Sequence, residues 1–208
     1  MALFPPPFKK LHSEIKEKLE YLDVMEPTAF QSKSIPVIKS GVNCFCIGPK
    51  EAGKTTTLLL TTLQKLKCEA VGTSPRAIVL VENMEKATAV YELFSSYTRQ
   101  GDLRVYLTDE KVHIDLQKSE IFEGVDILIT TPKAMDKLFL MNGLNTTQLK
   151  IFSIDDAEFL NQKPAFSSVL AHTQSIGKCQ YVIYAEKMTP VLKRLDSYFM
   201  EYPKIINL

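Results

Sequence analysis

The chain has 208 residues, of which 45% are hydrophobic and 24% charged, with a formal net charge of +1. That composition suits one globular domain with a core covered on both faces, and it excludes a protein drawn to polyanions by its overall field, so any nucleic acid must be met by a local patch. No apolar run approaches the roughly 18 residues of a membrane span, and the 4 cysteines show no zinc-ligand spacing, so they read as reduced thiols of a cytosolic or nuclear protein.

In chain order, residues 1–7 carry no apolar signal core, and Pro5-Pro6-Pro7 reads as part of a short leader. Two helical patterns follow, over 13–22 and 28–40. Short apolar runs then alternate with amphipathic stretches. Strand candidates lie at 42–47, 77–81, 103–107, 125–129, 150–154, 181–184 and 204–206, and helix candidates at 55–66, 85–97, 132–141, 165–174 and 190–199. Several runs are rich in Val and Ile and have no solvated side, which is how a strand buried on both faces of a parallel sheet reads. Strand and helix in alternation predict βαβ units and an α/β three-layer sandwich, with a central, mostly parallel sheet and helices on both faces. No repeat or internal linker interrupts 1–208, so a single domain is expected.

The segment Gly48-Pro49-Lys50-Glu51-Ala52-Gly53-Lys54-Thr55 matches the phosphate-binding pattern G-x-x-x-x-G-K-[ST], between a strand candidate and a helix candidate. Glycines let backbone N–H groups curl around phosphate oxygens, and the following helix presents its positive end to the same anion. Lys54 is placed to reach the terminal phosphates, and the Thr55 hydroxyl to hold Mg²⁺, with Thr56 beside it. Gly48 and Gly53 complete the expected cofactor-binding set, and ATP is the expected nucleotide because no guanine-specific motif is visible. Glu51 is out of place in such a loop. Turned inward it repels phosphate; turned to solvent it costs little.

Downstream, a strand candidate runs into Asp155-Asp156-Ala157-Glu158. A carboxylate at the end of a buried strand, after a phosphate loop, has the form of a metal-and-water site. Asp155 is assigned to Mg²⁺, directly or through water, and Asp156 to orienting the attacking water; Asp156 and the phosphate-contacting Lys54 form the expected catalytic set. A solvated acidic helix start is the alternative.

The order of these motifs resembles the DEAD-box RNA helicase family, from Phe8 to Leu208. Glu26-Pro27-Thr28-Ala29-Phe30-Gln31 resembles its Q motif, Ile129-Thr130-Thr131-Pro132 its Thr-Pro-Gly motif, and Tyr184-Ala185-Glu186 stands where the family has Ser-Ala-Thr. The resemblance implies the first of two RecA-like domains of a P-loop NTPase. It implies that Gln31 reads adenine, that Phe8 stacks on it, and that Thr131, Pro132 and Lys133 contact single-stranded RNA, weakly in isolation. It also implies a second RecA-like domain, not among these residues, that completes the ATP site and the RNA groove, together with protein partners and a cytoplasmic place in ribonucleoprotein granules.

The departures from the family pattern are many. Asp23-Val24 replaces a Gly-aromatic pair, Glu51 the middle glycine of the loop, and Glu82-Asn83-Met84-Glu85 a Pro-Thr-Arg-Glu motif. Lys133-Ala134 stands for Gly-Arg, no Gly-Gly pair occurs over 104–118, and Asp156 is one methylene shorter than the family's Glu. A lost arginine weakens phosphate contact, a lysine cannot replace its fork, and a water misplaced by about 1 Å can cost about 10²-fold in rate. Nucleotide binding is therefore better supported than hydrolysis, and hydrolysis better than unwinding. Such erosion fits a divergent member, such as the helicase-like region of a tudor-domain protein of the germline small-RNA (piRNA) pathway, and it keeps open a decayed fold that serves as a protein- or RNA-binding scaffold.

Overall fold

Each apolar run read from the sequence forms a strand in the computed structural model, which describes residues 4–208. The strands are β1 (Cys44–Ile47), β2 (Ala77–Leu80), β3 (Val105–Leu107), β4 (Ile127–Thr130), β5 (Ile151–Ile154), β6 (Gln180–Ala185) and β7 (Lys204–Asn207). They make one sheet in the order β3-β4-β2-β5-β6-β1-β7. Every neighbouring pair is parallel, so the sheet is wholly rather than mostly parallel.

Side chains alternate across the strands and feed two cores. Cys44, Cys46, Val79, Ile129 and Val182 face one core, which is closed by α1 (Ser13–Tyr21), α2 (Ala29–Lys39), α3 (Lys54–Leu66) and α4 (Met84–Thr98). Phe45, Ile47, Ile78, Leu80 and Ile183 face the other. It is closed by α5 (Ile114–Glu123), α6 (Pro132–Leu140), α7 (Lys163–Thr173) and the short α8 (Pro190–Lys193). With both faces covered, β1, β2, β4 and β5 have no solvated residue, which is why they read as continuous apolar runs.

Two expectations need correction. The leader assigned to 1–7 lies partly outside the described residues, but Phe4 and Pro7 within it are buried, and the Phe4 ring meets Phe8 edge-on with centroids 6.3 Å apart. The helix expected over 190–199 is α8 followed by a 3₁₀ turn, Arg194–Ser197. Helix α5 has no counterpart among the helix candidates.

The N-terminal edge of the sheet is tied by one carboxylate. Asp126, fully buried before β4, accepts from the Arg76 Nε at 3.1 Å and the Arg104 Nε at 2.8 Å, and from the backbone amides of Val71 and Arg104, both at 3.1 Å. Arg76 and Arg104 precede β2 and β3, so a single charge registers three strand starts. Burial alone would raise the Asp126 carboxyl, but the hydrogen bonds from Arg104 and Arg76 outweigh it and hold the group below its ordinary range. A depressed carboxyl contributes stability above its unfolded value, and that stability is lost as pH falls through the folded value. Asp126→Asn is expected to cost about 3–5 kcal/mol in urea unfolding at neutral pH, because Arg76 is left buried without a counter-charge. The gap between the two proteins is expected to narrow as the pH drops below the ordinary carboxylate range.

Candidate functional site

In a parallel α/β sheet the loops at the C-terminal strand ends share one edge, and ligands bind there. Here that edge gathers the loop after β1, the acidic residues after β5, the end of β6 and the start of α6. Strand β5 lies two places from β1, with β6 between them.

The loop from Gly48 to Thr55 is shaped by two glycines and buttressed by α2. Gly48 N donates to Ala185 O at 3.0 Å, which carries the β1–β6 pairing into the loop. A Cβ at Gly48 would meet the Phe30 ring at 2.9 Å. Gly53 holds a φ of +91°, a left-handed conformation suited to glycine, and a Cβ there would meet Gln31 Nε2 at 2.9 Å. Thr28 caps α2: its Oγ1 accepts from Gln31 N at 3.1 Å while its own N donates to Gln31 Oε1 at 2.9 Å. The same Thr28 hydroxyl donates to Ala52 O at 2.8 Å. The start of α2 is thus welded to the phosphate loop.

Lys54 is 6% exposed, and its Nζ donates to Gly48 O at 2.9 Å and Pro49 O at 2.7 Å, spanning the mouth of the loop. The Thr55 hydroxyl donates to Asp155 Oδ2 at 2.8 Å, across 100 residues of chain. Asp155 is 5% exposed, and its Oδ1 is buried without a partner among the described residues. Burial pushes its carboxyl up to about 6; the Thr55 hydroxyl opposes the shift, the neighbouring Asp156 adds to it, and Lys54 and Lys86 oppose it. An orphaned buried carboxylate oxygen beside a threonine hydroxyl and a lysine suits a hard divalent cation. Mg²⁺ takes oxygen ligands and is commonly held by one or two protein groups plus phosphates and waters. Glu51 is exposed, with a left-handed φ of 61°, so it does not plug the loop. Thr56 sits in the first turn of α3, half-buried.

Other assigned residues stand differently. Phe8 is 0% exposed in the core beside Phe4, so it is a packing residue with no free face for a base; its role as the adenine-stacking aromatic is corrected. Gln31 is buried against the loop, but its Oε1 is engaged in the helix cap, leaving its Nε2 at Gly53. Asp156 has a left-handed φ of 46° and is paired with Lys86 Nζ at 3.4 Å; that lysine also meets Glu82 at 3.2 Å. Glu158 Oε1 accepts from Glu186 N at 2.5 Å, joining the acidic segment to the end of β6, and Tyr184 is wholly buried with its hydroxyl 3.5 Å from Thr61 Oγ1. Thr131, Pro132 and Lys133 start α6, four strands from β1. There the Thr131 hydroxyl donates to Glu110 Oε1 at 3.2 Å, and Lys133 pairs with Glu110 Oε2 at 2.6 Å. Lys86 and Glu110 escaped the sequence reading. The Glu82–Lys86 spacing of four residues is a helical ion-pair signal, whereas Glu110 and Lys133 share no local pattern.

A family model described as DEAD/DEAH box helicase matches residues 28–186. The chain is 23% identical over its whole length to the ATP-dependent RNA helicase dbp3 of Emericella nidulans, spanning 42% of that protein. It is 29% identical, over 65% of its length, to the pre-mRNA-processing ATP-dependent RNA helicase PRP5 of Vanderwaltozyma polyspora, of which it spans 16%. The chain therefore spans less than half the length of these curated relatives. In fold it is similar to a DEAD box protein from Methanococcus jannaschii, with a TM-score of 0.86 and 18% identity over 95% of this chain and 54% of that one. It is also similar to Saccharomyces cerevisiae dbp5 in complex with gle1, with a TM-score of 0.84 and 17% identity over 100% of this chain and 53% of that one. The likeness to both solved structures shows a shared fold, the three-layer α/β sandwich expected from the motifs.

A carboxyl raised by burial destabilises the fold once ionised: the stability it leaves intact below the unfolded value is lost as pH rises toward about 6. Asp155→Asn, which keeps an acceptor for Thr55, is therefore expected to raise the melting stability of the metal- and nucleotide-free protein at neutral pH, by on the order of 1–3 kcal/mol. The difference is expected to vanish near pH 4.

Proposed function

The chain belongs to the DEAD/DEAH box helicase family, and on that premise we propose that it is the ATP-binding domain of a divergent ATP-dependent RNA helicase, with hydrolysis weak or lost in the domain by itself. The observation that carries the reading is the contact between the Thr55 hydroxyl and the buried Asp155 carboxylate, directly beside Lys54. Lys54 exchanges its two loop carbonyls for phosphate oxygens, a stronger, charge-assisted interaction. The amides of the loop and of the first turn of α3 take the remaining phosphate oxygens. Thr55 and Asp155 hold Mg²⁺, which when bound neutralises charge on the phosphate oxygens. Gln31, pinned by its cap against Gly53, offers its Nε2 as a donor to the base.

Hydrolysis and unwinding have less behind them. Asp156 is engaged by Lys86, and a carboxylate already paired with an ammonium is a poorer partner for an attacking water. The coupling hydroxyls of the family are replaced by the buried Tyr184 and by Glu186, and Glu186 meets the acidic segment through its backbone amide, which donates to Glu158. RNA contact at Thr131, Pro132 and Lys133 belongs to this proposal, as does a second RecA-like domain that completes the groove in the full-length protein. These replacements equally favour a second reading: a helicase fold kept as a scaffold for protein or RNA partners, with its nucleotide chemistry decayed.

Calorimetric titration separates the two. ATP and ADP with Mg²⁺ are expected to bind with millimolar to micromolar affinity, and Lys54→Ala is expected to weaken ATP by at least about tenfold, or ~1.4 kcal/mol. Equal heats from both proteins, or none from either, leave the scaffold reading.

A further inference from the structure

Away from the phosphate loop, the polar donors at the start of α6 converge on one residue. Glu110, in the loop between β3 and α5, accepts from the Thr131 hydroxyl through Oε1 and pairs with Lys133 through Oε2 at 2.6 Å, while Lys137 Nζ reaches its backbone carbonyl at 3.5 Å. The Glu110 side chain is 23% exposed and Lys133 72% exposed. The hydrogen bond from Lys133 is the largest of the effects that hold the Glu110 carboxyl below its ordinary range, so the group is an anion at neutral pH.

We propose that Glu110 is a tethered competitor for RNA phosphate: its carboxylate takes the Thr131 and Lys133 donors and so sets the affinity and salt dependence of RNA binding. The inference rests on the reading that these residues meet the RNA backbone. Carboxylate and phosphodiester are both anionic oxygen acceptors, and one ammonium cannot serve both at full strength. Any phosphate that approaches must displace Glu110 from Lys133 or lie beside a like charge. Because Lys133 is solvated, its pairing is screened and readily exchanged, so the effect is a severalfold one rather than a complete block.

The test is fluorescence anisotropy of a labelled single-stranded oligouridine bound by the 208-residue chain, titrated over a range of salt. The variants are Glu110→Gln, Lys133→Ala and their combination, with Glu201→Gln as a charge-matched change elsewhere on the surface. The Glu110→Gln amide still accepts from Thr131, and an unchanged melting curve confirms that the loop stands. Glu110→Gln is expected to tighten binding severalfold and to steepen the salt slope by about 0.7, one additional phosphate contact on a single strand. Lys133→Ala is expected to weaken binding less in the unaltered protein than in the Glu110→Gln background, where it cancels the gain. A Glu110→Gln effect no larger than that of Glu201→Gln, or a Lys133→Ala loss equal in both backgrounds, would overturn the competitor while leaving the RNA reading in place. No binding by any variant at low salt would overturn both, and the ATP titration of the unaltered protein then shows whether the nucleotide reading stands.

Discussion

The hydrogen bond from the Thr55 hydroxyl to the Asp155 carboxylate is the contact on which the rest of the proposed nucleotide site depends. It joins the first turn of α3 to the end of β5, two strands away from the strand that launches α3. A nearly buried carboxylate with one unpartnered oxygen is costly to keep ionised. That cost is tolerated because the parallel sheet holds β1, β6 and β5 in fixed register, and the site answers it with polar groups of its own. The order of causes is therefore strand burial, then sheet register, then the meeting of Thr55, Lys54 and Asp155.

The two ends of this sheet edge are built differently. At the end with the Gly48–Thr55 loop, two glycines shape the turn, Lys54 spans its mouth, Thr55 meets Asp155, and the capped α2 braces the loop from outside. At the other end, charged residues satisfy one another: Lys86 with Asp156 and Glu82, and Glu110 with Lys133. Each of these pairs is partly solvated, so it contributes little to stability. The buried Asp126 network is the opposite case. It lies at the opposite edge of the sheet, where it ties the strand starts together and acts on stability.

The fold was largely legible in the sequence because strands buried on both faces leave an unbroken apolar run between turn residues. Helix α5 was not: Ile121 and Gln117 are buried while Leu116 and Phe122 are exposed, so its pattern has no clean apolar stripe. The phosphate loop was legible because its geometry is local and needs glycine at a left-handed position. Phe8 misled because whether an aromatic ring is free to stack is decided by tertiary packing, here against Phe4, and not by its position in a motif. Thr28 and Gln31 carry a capping-box spacing that is readable in the sequence, yet only folding brings the same threonine onto Ala52. Lys133 was read as an RNA contact with no partner of its own in view, because Glu110 lies 23 residues upstream on another loop.

The most direct test of the Thr55–Asp155 site is the Mg²⁺ dependence of ATP affinity, measured by titration with and without the metal in the unaltered protein and in Asp155→Asn. If the pair holds the cation, Mg²⁺ tightens ATP in the unaltered protein and not in the variant, while metal-free affinity stays the same or improves in the variant. An equal gain from Mg²⁺ in both proteins would contradict the assignment and place the metal elsewhere.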